Sequence, residues 1–261
     1  MDDQPLAKKS LGQHWLQDQA VLTEIVDSAG VSAQDTVLEI GPGPGTLTRL
    51  LTERAGQVVA VEFDEKLAAA LPQRVPADNL QIVSQDILKF DFTSLPPGYK
   101  VVANIPYYLT GKLLRLLSEM PNPAAAAVLL LQKEVAERVA AKPGNMSIPS
   151  VIAQFFWQVS LGRVVEAELF TPPPKVDSQI LILERRTKPL FEDADPKEFF
   201  RLVKAGFAQR RKTLLNNLSG GLRLSRDEVQ AICQKAGIDP TRRAQTLDLD
   251  DWHALYRALN T

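Results

Sequence analysis

Over roughly the first two-thirds of the chain, apolar residues fall in short unbroken runs. In the last third they fall at helical spacing. The runs at 36–40, 58–62, 80–85, 100–103 and 127–131 are rich in Val, Ile and Leu and alternate little with polar residues. Strands buried on both faces have this pattern. Between them, 46–54, 65–71 and 111–119 repeat with helical period; so does 18–29 before the first run, and 135–141 continues the pattern after the fifth. Strand–helix–strand repetition predicts a parallel sheet covered by helices on both faces. Segments 154–165 and 178–185 supply further sheet or helix material.

A polar, proline-bearing stretch at 187–196, TKPLFEDADP, predicts a boundary. Beyond it the pattern is helical over 197–218, 225–236 and 249–259. Ser225 followed by Glu228 reads as a capping box, and Asp239 with Pro240 as a turn. The expectation is an α/β domain over 1–187 and a small all-helical domain over 188–261.

Composition narrows the classes. The 261 residues are 45% hydrophobic and 23% charged, which excludes a disordered or fibrous chain. The single cysteine, Cys233, excludes an internal disulfide framework and a cysteine-built zinc site. Cys233 reads as a packed thiol in a helix. Two histidines, His14 and His253, offer neither a metal site nor a triad, so no metal is expected. No run approaches the roughly 20 apolar residues of a membrane span. The first ten residues are polar and acidic, unlike a secretion signal. A cytoplasmic protein with no membrane partner is expected.

Net charge is only −1, but its distribution is uneven. Residues 1–185 carry 16 basic and 21 acidic side chains; residues 186–261 carry 14 and 10. Within 197–226, eight cations including Arg210, Arg211 and Lys212 accompany one acid, Glu198. Such a patch attracts a polyanion although the whole chain is near neutral. On this pattern it lies along a helix, with Arg210, Arg211 and Lys212 as candidate polyanion-binding residues, which the resemblance given below implies to be RNA-binding.

The candidate chemistry starts at 37–46, VLEIGPGPGT. A buried strand runs into Gly41, Gly43 and Gly45, and a helix begins. The dinucleotide fingerprint G-x-G-x-x-G does not fit, because the third glycine comes one position early. The pattern E-x-G-x-G-x-G is the loop form of S-adenosylmethionine methyltransferases. A second buried strand ends in Glu62, 21 positions after Gly41, near the spacing of an acid that takes ribose hydroxyls. A third strand ends near Asp86, which can accept from an adenine amine. The fourth ends in 104–107, NIPY. The exocyclic amine of adenine is a poor nucleophile, since its lone pair is delocalised into the ring. The Asn104 oxygen and a backbone carbonyl beside Pro106 can accept its two hydrogens and localise that lone pair. Tyr107 offers a ring face to the target base, worth about 1–3 kcal/mol of stacking, once the base is splayed from its helix or loop.

Further motifs accompany these: 9–16, KSLGQHWL; 131–138, LQKEVAER; 170–178, FTPPPKVDS; 207–214, FAQRRKTL; and 243–247, RAQTL. Together they resemble the KsgA (RsmA) family of small-subunit rRNA adenine dimethyltransferases, within the larger group that includes the Erm resistance methyltransferases. The resemblance covers nearly the whole chain. It implies a Rossmann-like class I methyltransferase domain using S-adenosylmethionine, followed by the helical domain. It implies that His14 and Leu16 touch the cofactor alongside Gly41, Gly43, Gly45, Glu62, Asp86 and Asn104. Phe170 is implied to pack the second face of the flipped base, opposite Tyr107, with Pro172–Pro174 as a pocket wall. The implied substrate is two adjacent adenosines near the 3′ end of 16S rRNA within the 30S subunit, acted on by a monomer. The sequence departs from the family pattern at Trp15, where Phe is usual, at His14, where Asn is commoner, and at Tyr108, where Asn is frequent. The 142–150 loop is shorter. Rival readings are an Erm-type enzyme acting on 23S rRNA and a non-enzymatic assembly factor that kept the fold. A DNA adenine methyltransferase fits less well, for want of a separate target-recognition domain. Phe155, Phe156 and Trp157 read as core, and His253 as a surface or interdomain residue.

Overall fold

The computed structural model describes residues 7–8, 12–106, 109–188 and 190–261. A two-residue strand, β1 (Trp15–Leu16), precedes α1 (Gln19–Ser28). Then come β2 (Thr36–Ile40), α2 (Thr46–Arg54), β3 (Gln57–Glu62), α3 (Glu65–Arg74), β4 (Leu80–Ser84), β5 (Lys100–Asn104), α4 (Thr110–Glu119) and β6 (Ala126–Gln132). α5 (Lys133–Val139), α6 (Ile148–Phe156), β7 (Trp157–Val165), β8 (Phe170–Thr171) and β9 (Ser178–Arg185) follow. The chain finishes with α7 (Pro196–Gly206), α8 (Leu214–Leu222), α9 (Arg226–Lys235) and α10 (Leu249–Leu259).

Seven strands form one sheet in the order β4-β3-β2-β5-β6-β9-β7. β4, β3, β2, β5 and β6 are parallel, and β9 runs antiparallel to β6. Val37, Leu38, Val101 and Val102 on the two central strands are fully buried, as strands sandwiched between helical layers must be. From β2 the chain moves outward through β3 and β4, then returns to the other side of β2 as β5. That reversal opens a crevice at the carboxyl ends of β2 and β5, where open α/β sheets place ligands. β1 pairs separately with β8, Trp15 opposite Thr171 and Leu16 opposite Phe170. The sheet-and-helix alternation over 36–132 agrees with the sequence pattern. Two-residue strands such as β1 and β8 carry no period to detect.

The chain divides into two compact units, 1–136 with 158–185, and 137–157 with 186–261. The sequence boundary at 187 therefore shifts by two residues, and 137–157 moves out of the first domain. Its apolar face explains why. Phe155 is fully buried with its ring centroid 5.0 Å from Phe199 and 5.2 Å from Phe200 of α7. α6 is thus a core helix of the second unit, consistent with reading Phe155 as core. Cys233 is buried in the same cluster. His253 stacks on Phe191 at 4.0 Å and meets Asp193 at 2.8 Å. The Ser225–Glu228 capping box is present. Among the described residues, no helix is long and apolar enough to cross a membrane.

One predicted helix is two. The helical period over 197–218 is broken at 207–213, between α7 and α8. Breaking a helix orphans carbonyls, and here one buried amide collects them. Asn217, 4% exposed, donates to the carbonyls of Gly206 at 2.7 Å and Gln209 at 3.0 Å. Its Oδ1 accepts the Gln209 N–H at 3.2 Å. Gly206 lets the end of α7 reach α10, since a Cβ there would stand 2.3 Å from the Trp252 ring. The hydrophobic period could not report this break, because the partner that stabilises it lies beyond it in sequence. Asn217→Ala should cost about 2–3 kcal/mol, since buried carbonyls are left without donors. Urea unfolding measures this, and a loss below about 0.5 kcal/mol, the range of a neutral surface change, would show that the turn stands without Asn217.

Candidate active site

A cavity of about 280 Å³ lies at the carboxyl ends of the central strands. Its lining draws Gly41 from the β2–α2 loop, Glu62 from β3, Asp86 after β4, Asn104 and Pro106 at the end of β5, and Phe170 from β8. His14 and Leu16 also line it. Eight residues named from sequence are thus brought to one place by the fold.

The three glycines divide by role. All have positive φ, +69°, +56° and +91° at Gly41, Gly43 and Gly45, a region costly for residues with a Cβ. Only Gly41 lines the cavity, and among the described residues no atom beyond its chain neighbours lies within 4 Å of where its Cβ would stand. That space leaves room for a ligand to approach the backbone. Gly43 and Gly45, expected at the cofactor, are not in the lining. A Cβ on Gly43 would stand 2.6 Å from the Trp15 ring, and one on Gly45 would stand 2.8 Å from both Leu71 and Val75. These two glycines pack the loop against β1 and α3.

Glu62 joins the loop to the third strand end. Its carboxylate accepts the N–H of Gly43 at 3.1 Å and the N–H of Asp64 at 2.8 Å. Burial pushes its pKa up, against the lowering effect of these hydrogen bonds. A carboxylate offers about four lone-pair positions, so both oxygens keep room for a diol. Asp86 accepts the Leu88 N–H at 3.0 Å. Phe63 is 58% exposed on the cavity rim, with Leu88 also exposed there. Two apolar side chains beside two acids suit a flat base with polar edges.

The segment around β1 covers the cavity. Thr46 donates its hydroxyl to the Leu16 carbonyl at 3.0 Å. The Nδ1 of His14 lies 2.6 Å from the Pro172 carbonyl, so it donates there. Lys8 pairs with Asp64, whose side chain is 4% exposed. Asn104 donates its amide N–H to the His14 carbonyl at 3.2 Å. That bond commits the nitrogen of the amide and leaves Oδ1 as an acceptor. Pro106 gives its carbonyl to the Leu109 N–H at 3.0 Å. Phe170 is 3% exposed and packs with Leu16 in the core beneath. The cavity takes Phe170 from its loop and none of the prolines at 172–174, which corrects the pocket-wall expectation; Pro172 acts through its carbonyl. Tyr107 and Tyr108 lie outside the described residues, as does the 9–11 part of the first motif. Arg210, Arg211 and Lys212 are exposed on the 207–213 turn of the second unit, not on a helix face.

Sequence reasoning passed over Glu39 as a site residue, although it opens the E-x-G-x-G-x-G pattern. It is 1% exposed, it lines the cavity, and its Oε2 has no hydrogen-bond partner among the described residues. Burial, with repulsion from Glu62, lifts its pKa from 4.5 to about 8. An orphaned acceptor in the wall, an open place over Gly41, and acids at Glu62 and Asp86 fit S-adenosylmethionine, which brings donors and positive charge.

A parallel sheet of this order, with this loop and these acids, defines an S-adenosylmethionine-dependent methyltransferase of class I. The chain belongs to the Ribosomal RNA adenine dimethylase family, whose profile matches residues 5–261. It is 42% identical over 253 residues to Ribosomal RNA small subunit methyltransferase A of Dehalococcoides mccartyi, covering 95% of this chain and 87% of that one. The protein of the same description from Bacillus cytotoxicus is 41% identical, covering 97% and 91%. Among solved structures, the 23S rRNA methyltransferase ErmE is similar with a TM-score of 0.77 at 29% identity, covering 95% of this chain and all of that one. A dimethyladenosine transferase from Plasmodium falciparum gives 0.79 at 27%, covering 95% and 98%.

Glu39 gives a pH prediction. The folded chain keeps its proton up to about pH 8, whereas the unfolded chain loses it above its usual value of 4.5. Unfolding therefore releases a proton in this window, and stability falls as pH rises through it, by up to about 1.4 kcal/mol per pH unit. Glu39→Gln has no proton to lose and should flatten that part of the profile in urea unfolding. An unchanged slope would place the titration elsewhere.

Proposed function

We propose that this protein dimethylates the exocyclic amines of two adjacent adenosines near the 3′ end of 16S rRNA, within the small ribosomal subunit. It does so as a monomer in the cytoplasm. The observation that carries the chemistry is the Asn104–His14 hydrogen bond, which turns Oδ1 into the acceptor an adenine amine needs. The small subunit is favoured over the Erm substrate by relatives at 42% and 41% identity, against 29% for ErmE.

S-adenosylmethionine, when bound, supplies a methyl group activated on its sulfonium. Glu62 takes the ribose hydroxyls, Asp86 the adenine amine of the cofactor, and Gly41 lets the backbone approach. His14 and Leu16 close over them. The target amine gives one hydrogen bond to Asn104 Oδ1 and the other to the Ile105 carbonyl, the one beside Pro106 that Leu109 does not use. Its lone pair would then localise on nitrogen, as attack on the methyl group that the cofactor would supply requires. Tyr107 and Phe170 hold the base by stacking. The methylated nitrogen is cationic and releases its proton to water without a strong base. Orientation of amine and methyl supplies most of the rate.

Arg210, Arg211 and Lys212 take rRNA phosphates. Held on a turn by Asn217, they form a compact cluster, and phosphate contacts fix register without reading sequence. Binding should weaken steeply with salt.

The direct test is methyl transfer from labelled S-adenosylmethionine to unmethylated 30S and 50S subunits, with nucleoside analysis. Dimethyladenosine should appear in 16S rRNA alone; label in 23S rRNA would favour the Erm-type reading. Asn104→Ala should lower kcat by at least about 10²-fold, the scale of one lost transition-state hydrogen bond, with rRNA binding intact. Equal loss of binding would remove the role given to Asn104. Charge reversal of Arg210, Arg211 and Lys212 to Glu should weaken subunit binding and spare cofactor affinity. The opposite pattern would sink the patch assignment.

A further inference from the structure

The cavity has an uneven charge. Glu62 and Asp86 are acids in its wall, Glu39 beside them keeps its proton up to about pH 8, and Lys112 is the only Lys or Arg among its described lining residues. Lys112 is exposed, in the first turn of α4. Among the described residues it makes no ion pair or side-chain hydrogen bond, whereas Arg115 on the same helix is held by Glu119 at 3.0 Å. A lysine ammonium has three donors and no acceptor. An unpaired one at the mouth of an acidic cavity points to an anion brought by a ligand.

The local sequence supports this. Leu109 caps α4 without a side-chain hydrogen bond. Gly111 follows, a residue about 1 kcal/mol worse than Ala inside a helix. Among the described residues, no atom outside its own helix and chain neighbours lies within 4 Å of where its Cβ would stand. Weak local choices in an otherwise well-formed element are characteristic of functional positions.

Two anions can come to this cavity, the carboxylate of the cofactor and a phosphate of the RNA. The residues assigned to the adenosyl group sit on β3 and after β4. Lys112 instead follows Asn104 and Pro106 on the segment that receives the target base. A base extruded from RNA remains tethered to two phosphates, which must rest at the mouth while the ring enters. We propose that Lys112 anchors a phosphate flanking the target adenosine at the lip of the cavity. This rests on the function proposed above.

The test uses the full chain with Lys112→Ala, Lys112→Glu and Lys112→Arg. Methylation of unmethylated 30S subunits is followed across salt concentrations, and cofactor affinity is measured by calorimetry, which also reports that each variant is folded. With Ala, KM for the subunit should rise about 5–10-fold, with kcat nearly unchanged. Glu should raise it further, and Arg should restore it. The salt slope should become shallower by about one unit, as for one lost phosphate contact. Cofactor Kd should stay within about twofold, as for a residue that touches only RNA. A weakened cofactor Kd with an unchanged subunit KM would assign the ammonium to the cofactor carboxylate and overturn the proposal. Variants equal to wild type in every respect would overturn it as well, while leaving the function standing. A wild-type protein that labels no adenosine in 16S rRNA would overturn both.

Discussion

The site depends on a loop whose backbone turns left-handed at three alternate positions, Gly41, Gly43 and Gly45. The three glycines have no side chains with which to hold it. It is fixed from outside, by the Glu62 carboxylate on the Gly43 N–H, by the Trp15 ring against Gly43, and by Leu71 and Val75 against Gly45. The residue assigned to the cofactor ribose is therefore also a strut of the loop. The same economy recurs at Asn104, whose amide ties β5 to the covering segment and, by doing so, orients its acceptor. Rigid placement of this kind is what orientation-dependent chemistry requires.

Much of the first unit was legible in sequence because its signals are local. Runs such as Val37–Leu38 and Val58–Val61 are buried on both faces, and the carboxyl end of each strand carries its own chemical marker. What escaped depended on distant partners. Gly43 reads as a cofactor glycine until Trp15, 28 positions earlier, is placed against it. α6 reads as part of the first domain until Phe155 is seen among Phe191, Phe199 and Phe200. Glu39 was hidden in plain view, since a motif letter does not reveal whether its side chain is buried without a partner.

The second unit shows how a buried polar residue shapes a surface. The apolar period of 197–218 alone describes one helix, which would spread its cations around the axis. With Asn217 in place, Arg210, Arg211 and Lys212 are gathered on a short turn whose carbonyls face inward. The turn is further tied by the Leu214 N–H to the Arg242 carbonyl at 2.8 Å and the Leu215 N–H to the Pro240 carbonyl at 3.0 Å. A cluster of like charges repels itself, and its geometry persists only on a backbone stiff enough to bear that repulsion.

The pairing of β1 with β8 has a consequence in time. His14 and its carbonyl partner Pro172 are 158 positions apart, and Leu16 finds Phe170 at nearly the same remove. As the chain is synthesised, the glycine loop and its acids emerge long before the strand that latches the covering segment. A nascent chain stopped short of residue 170 has the floor of the pocket without its roof. The latch on the covering segment thus depends on residues made well after the last parallel strand, which ends at Gln132.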